Sequence, residues 1–136
     1  MNGIDVSDDG LVLSPYLHDS VLVEARLCPE VELAFRRESA CFKVTALEDS
    51  LLWCSGLSLG GIVSQTFAFK SHAELERVVS QAHSDLSVDS LMRGIEVMQL
   101  KPCGLFFLMN YLDDVVLFVK DLSKVRWSEV PASGSE

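Results

Sequence analysis

Apolar and polar residues alternate along much of the first half of the chain. Val21, Val23, Ala25 and Leu27 alternate with Leu22, Glu24, Arg26 and Cys28, and then Val31, Leu33 and Phe35 alternate with Glu30, Glu32, Ala34 and Arg36. A period of two places one face of a strand on a core and the other toward water. Cys28-Pro29-Glu30 separates the two runs, with Pro29 fixing φ in a short turn, so the pair is expected to form a β-hairpin. Phe42, Val44 and Ala46 continue the alternation after the polar turn Arg36-Arg37-Glu38-Ser39, and Leu51-Leu52-Trp53-Cys54 supplies another strand. Gly60-Gly61 then opens Ile62–Phe69, in which Val63, Phe67 and Phe69 are expected on one side.

The period changes at Ser71. Ser71 followed by Glu74 matches a capping box, and Leu75, Val78, Val79 and Ala82 recur at helical spacing. The pattern predicts a helix laying its aliphatic stripe on a sheet. Beyond Ser84, a short helix over about residues 88–92 with Ser87 as its cap is expected, followed by a strand from Ile95 to Leu100. Leu105–Leu112 and Val115–Lys120 are apolar on both faces and meet at Asp113-Asp114, the pattern of a hairpin covered on both sides. Val125 and Trp127 suggest an edge strand. The fold class expected is α+β: a mostly antiparallel sheet, a meander or partly open barrel-like arrangement, with one main helix packed on it. A single domain over residues 1–130 with a flexible tail over 131–136 fits the 136-residue length.

Composition narrows the function classes. Hydrophobic residues are 49% of the chain, enough for a core and against intrinsic disorder. Eleven Lys and Arg against 20 Asp and Glu give a net charge of −9. Nucleic-acid binding draws its affinity from clustered cations, so no nucleic-acid partner is expected. An acidic surface instead keeps a domain soluble and speeds encounter with a basic partner. Met1–Gly10 carries Asp5, Asp8 and Asp9 where a signal peptide needs basic and then apolar residues, and no apolar run approaches the roughly 20 residues of a membrane span. A cytoplasmic location and no membrane partner are the expectations.

The candidate chemistry is sparse. The four cysteines are Cys28, Cys41, Cys54 and Cys103; none forms a Cys-x-x-Cys pair, and free thiols are expected. Cys28, Cys41 and Cys54 are evenly spaced, and His18 or Cys103 is the available fourth ligand should strands bring them together, but buried small hydrophobes are the commoner fate. In Leu17-His18-Asp19-Ser20 a histidine beside a carboxylate and a serine suggests base and nucleophile. Strand neighbours point to opposite faces, however, so the segment is better read as a turn whose side chains bond the backbone. His72 and His83 fall three turns apart on the predicted helix, too far for one metal ion. No phosphate-cradling glycine motif is present. No catalytic, cofactor-binding or metal-ligating residue is therefore assigned, no cofactor is expected, and the protein is not expected to be an enzyme.

The order of these features resembles a group of small bacterial β-rich proteins, several of which are regarded as immunity proteins of contact-dependent or polymorphic toxin systems. The resemblance rests on Leu17-His18-Asp19-Ser20, the alternating hairpin, Phe42-Lys43-Val44 running into Leu51-Leu52-Trp53, Gly60-Gly61-Ile62-Val63, and the closing segments Leu105–Tyr111 and Val115–Lys120 into Trp127. It implies a non-enzymatic protein-binding module that neutralises a basic toxin through an acidic face. The outward carboxylates Glu24, Glu30 and Glu32 of the first hairpin are then the candidate partner-binding residues. The competing readings are a structural protein forming a homodimer or larger assembly through its apolar strands, and a small metal protein or enzyme using His18, Asp19 and the cysteines.

Overall fold

A computed structural model describes residues 1–27, 30–47, 50–54, 59–97, 99, 102–110 and 114–131. The strands are β1 (Asn2–Gly3), β2 (Asp5–Val6), β3 (Val12–Ser14), β4 (Val21–Arg26), β5 (Glu32–Arg37), β6 (Ala40–Ala46), β7 (Ser50–Cys54) and β8 (Ile62–Phe69). Helices α1 (His72–Gln81) and α2 (Val88–Val97) follow, then β9 (Gly104–Asn110), β10 (Val115–Val119), a 3-10 turn (Leu122–Lys124) and β11 (Val125–Pro131). Nine strands form one antiparallel sheet in the order β1-β11-β6-β5-β4-β8-β9-β10-β7, and β2 and β3 make a separate small hairpin. The fold is α+β, as expected. The sheet curves but does not close, and it carries two ten-residue helices rather than one main helix.

Two hydrophobic cores lie on opposite sides of β8, β9 and β10. Leu33, Phe35, Val44, Val63, Phe107 and Leu117 belong to the first, enclosed by the curved sheet. Phe69, Leu75, Val78, Ile95, Phe106 and Phe118 belong to the second, between sheet and helices. Alternate residues of β9 and β10 therefore serve different cores, and all of β10 is buried. This explains why the two runs are apolar at every position. The described residues of β10, and all but Leu108 and Asn110 of β9, are buried within the chain.

Two register shifts revise the expected faces. In β4 the shift falls between Leu22 and Glu24, so Leu22 is buried and Ala25 packs against the same core while Val23 is exposed. The sequence pattern had put Val21 and Val23 inward. A bulge adds one residue and inverts the alternation beyond it. In β8 the shift between Val63 and Gln65 does the same: Val63 enters the first core, and Phe67 and Phe69 enter the second. These three residues do not share a side.

The Ser71 hydroxyl accepts the Glu74 amide at 3.1 Å, as a helix cap should, and Glu74 Oε1 reaches back to the Lys70 amide at 3.1 Å. Leu75, Val78 and Val79 are buried as their spacing requires. Ser87 caps α2 through the Ser90 amide, but this helix continues to Val97. Residues 95–97 are thus helical, not the start of a strand, because Leu91 and Ile95 fall one turn apart on the second core. β11 runs beside β6 from Val125↔Ala46 to Pro131↔Ala40, and β1 pairs outside it. Residues 132–136 of the expected tail lie outside the described residues.

Candidate functional site

The segment Leu17-His18-Asp19-Ser20 is a turn rather than a strand, with Asp19 at φ 65°. That geometry overturns the expectation that His18 and Asp19 point apart: His18 Nε2 lies 3.3 Å from Asp19 Oδ2. The other ring nitrogen, Nδ1, lies 2.7 Å from the carbonyl oxygen of Ser64, beside the β8 bulge. Ser20 is fully buried and its hydroxyl donates to the carbonyl of Leu17. The Asp19 amide donates to Val63 and the Val63 amide to Ser20, each at 2.8 Å. The turn therefore fastens the entry of β4 to β8, and Ser20 presents no exposed nucleophile.

Arg37 holds this turn from the other side. Its Nη1 donates to the carbonyls of Tyr16 and His18 at 2.6 and 3.1 Å. The guanidinium also lies 5.3 Å from the Tyr16 ring centre and 5.1 Å from that of Phe42. Sequence reasoning passed over Arg37, because nothing in a strand-end arginine signals contact with a loop about twenty residues away.

The three candidate partner-binding carboxylates sit differently from one another. Glu24 and Glu30 are exposed. Glu32 is half-buried on β5, with Oε2 3.7 Å from Arg26 Nη1 and Oε1 accepting from the Thr45 hydroxyl at 3.4 Å. Beside them Val23, extruded by the β4 bulge, is 42% exposed, and Leu27 is 55% exposed. Cys28 and Pro29 of the hairpin turn lie outside the described residues. The register places Arg26, Glu32, Thr45 and Arg126 in one row across the outer face, and Glu24, Ala34, Lys43 and Ser128 in the next. That face is mixed in charge; its carboxylates concentrate toward the hairpin tip.

Cations that are scattered in sequence meet at a second place. A cleft of about 690 Å³ opens between the N-terminal segment, the end of β8, α1 and the start of β11, with Lys70, Arg77 and Arg126 on its walls. Asp8 and Glu74 also line it, and Ile4, Ala68 and Leu122 supply an aliphatic floor. Asp9 sits at its margin. The Ser7 hydroxyl bonded to this carboxylate lowers its pKa below 3.8, and Arg77 adds a smaller pull in the same direction.

The remaining predicted residues are dispersed. His72 begins α1 and pairs with Glu76 at 3.3 Å, whereas His83 lies past the helix end at φ 55°. They do not lie along one helix as expected. Cys41 is half-buried on β6 and Cys103 buried ahead of β9; Cys28 lies outside the described residues. Among the described residues no three His, Cys, Asp or Glu side chains group as metal ligands, and no described helix is long and apolar enough to cross a membrane. Trp127 is half-buried against the first core and donates its indole N–H to Gly3 at 3.0 Å. Comparison of the chain with protein-family models, curated proteins and solved structures finds no match.

Proposed function

We propose that the protein is a non-enzymatic binding module whose β4–β5 hairpin docks on a basic protein partner. The observation that carries this reading is the bulge in β4. It turns Val23 out to solvent beside Glu24, near exposed Leu27 and Glu30. Apolar side chains rimmed by charge are the anatomy of a docking surface: the apolar atoms are desolvated on contact, and the rim selects the partner. Glu32 is held by Arg26 and Thr45, so it braces the hairpin while Glu24 and Glu30 face outward. A chain of net charge −9 would steer a basic surface toward this tip. An immunity-type role, with the hairpin covering a basic toxin, is the specific form that the family resemblance suggests.

The test is a pull-down at low and high salt, read by mass spectrometry, with the wild type and with Glu24→Lys/Glu30→Lys. The reading expects a stoichiometric basic partner that is lost at high salt and lost in the double variant. A partner retained equally by the variant would remove the hairpin from the binding surface.

A further inference from the structure

We infer that the cleft between the N-terminal segment and α1 is a binding site for a small organic phosphate. The site stands apart from the hairpin and does not depend on that reading. Its walls come from β1, the β2–β3 turn, β8, α1, the 3-10 turn and β11, so only the folded chain assembles it. A volume of about 690 Å³ falls in the range of small-molecule sites.

The chemistry of its walls selects the ligand. Lys70, Arg77 and Arg126 supply three positive charges in a chain of net charge −9, and none forms an ion pair with a described residue. Arginine presents a planar fork of N–H donors that suits phosphate oxygens, with lysine as a point charge beside it. Gly3 packs closely against one arginine, and Gly10 against the backbone of β8. A Cβ on Gly3 would lie 3.2 Å from Arg126 Nη1; one on Gly10 would lie 3.2 Å from the Ala68 carbonyl oxygen and at ordinary contact distance, 3.6 Å, from Arg77 Nη2. Gly10 also adopts φ 92°, a conformation that side-chain-bearing residues rarely take. The Arg126 guanidinium therefore packs over bare backbone at the cleft wall.

Two further features argue for an organic phosphate over a free ion. Ile4, Ala68 and Leu122 offer an aliphatic floor for a carbon skeleton, and the Asp8 carboxylate and Ser123 offer acceptors for its hydroxyls. One Glu74 oxygen accepts from the Lys70 amide at the helix cap, but the carboxylate still lines the cleft and, with Asp8, offsets part of its positive charge. Asp9 already neutralises part of the Arg77 field, so binding should be modest and salt-sensitive.

The experiment is a titration of the full chain at low salt, followed by amide NMR, with ribose 5-phosphate, ribose and inorganic phosphate as probes. The inference expects saturable shifts at Lys70, Arg77 and Arg126 with both phosphates, tighter with the sugar phosphate, and none with ribose. Arg77→Gln/Arg126→Gln should weaken phosphate binding about a hundredfold, since each charge-assisted bond removed is worth about one decade. Circular dichroism of the variant establishes that it is folded. The absence of saturable shifts with either phosphate, or equal affinity in a folded variant, would overturn the inference; equal binding of inorganic and sugar phosphate would remove the organic part of it.

Discussion

Two glycine-to-alanine substitutions should move stability in opposite directions. In Gly104→Ala the new Cβ would lie 1.8 Å from the Leu117 carbonyl oxygen and 3.0 Å from the Phe118 Cα, both fixed backbone atoms of β10. Gly104 sits opposite Phe118 on one side and Phe69 on the other, so neither neighbouring strand can yield alone. Making room requires the ladder to open by about an ångström, which breaks its hydrogen bonds locally. It also disturbs the edge-to-face pair of Phe69 and Phe118, whose centres are 5.7 Å apart. Overpacking a core costs about 1–3 kcal/mol, and each lost bond adds about 1 kcal/mol, so a total near 3–4 kcal/mol is expected. With a urea m-value of about 2 kcal/mol/M the unfolding midpoint falls by about 1.5–2 M. Gly94→Ala is the control: it lies on the exposed side of α2 with nothing within 4 Å of the new Cβ. Removing a helical glycine there should stabilise by about 0.8–1 kcal/mol. Urea unfolding followed by circular dichroism measures both. A Gly104→Ala midpoint within about 0.3 M of wild type at unchanged m would refute the close approach of β9 to β10.

Two smaller perturbations follow from local geometry. His83 occupies the left-handed position after α1, where its amide bonds Ser80 and the next amide bonds Val79; His83→Gly should raise Tm by about 4 °C through relief of about 1 kcal/mol, and calorimetry showing a lower Tm would contradict this. The Asp9 carboxyl, lowered below 3.8 chiefly by the Ser7 hydroxyl, contributes stability that is complete above its unfolded pKa and is lost as pH falls through the lower folded value. Ser7→Ala should move the Asp9 titration midpoint upward in a carboxyl NMR titration; an unmoved midpoint would assign the shift to another group.

The sequence by itself determined those elements whose local pattern and burial agree. Val31, Leu33 and Phe35 alternate, and all three are buried, because β5 keeps its register beside β6 and one face is consistently covered. Ser71 and Glu74 marked the start of α1 because a helix cap is made by neighbours in the chain. The doubly apolar runs of β9 and β10 announced burial on both faces, though not that the two faces belong to separate cores. Tertiary structure decided the rest. Period two carries no mark of an inserted residue, so the bulges that expose Val23 and split Val63 from Phe67 arise only from pairing with β5 and β9. Ile95–Val97 reads equally as strand or helix until the second core supplies a helical neighbour for Ile95. The His18–Asp19 contact needs the left-handed turn that Asp19 adopts, and the walls of the cleft bring Gly3, Lys70, Arg77 and Arg126 together from distant segments. Charges repel or attract through space, not along the chain, so cations scattered in sequence came to line one cleft only once the end of β8, α1 and β11 were folded around it.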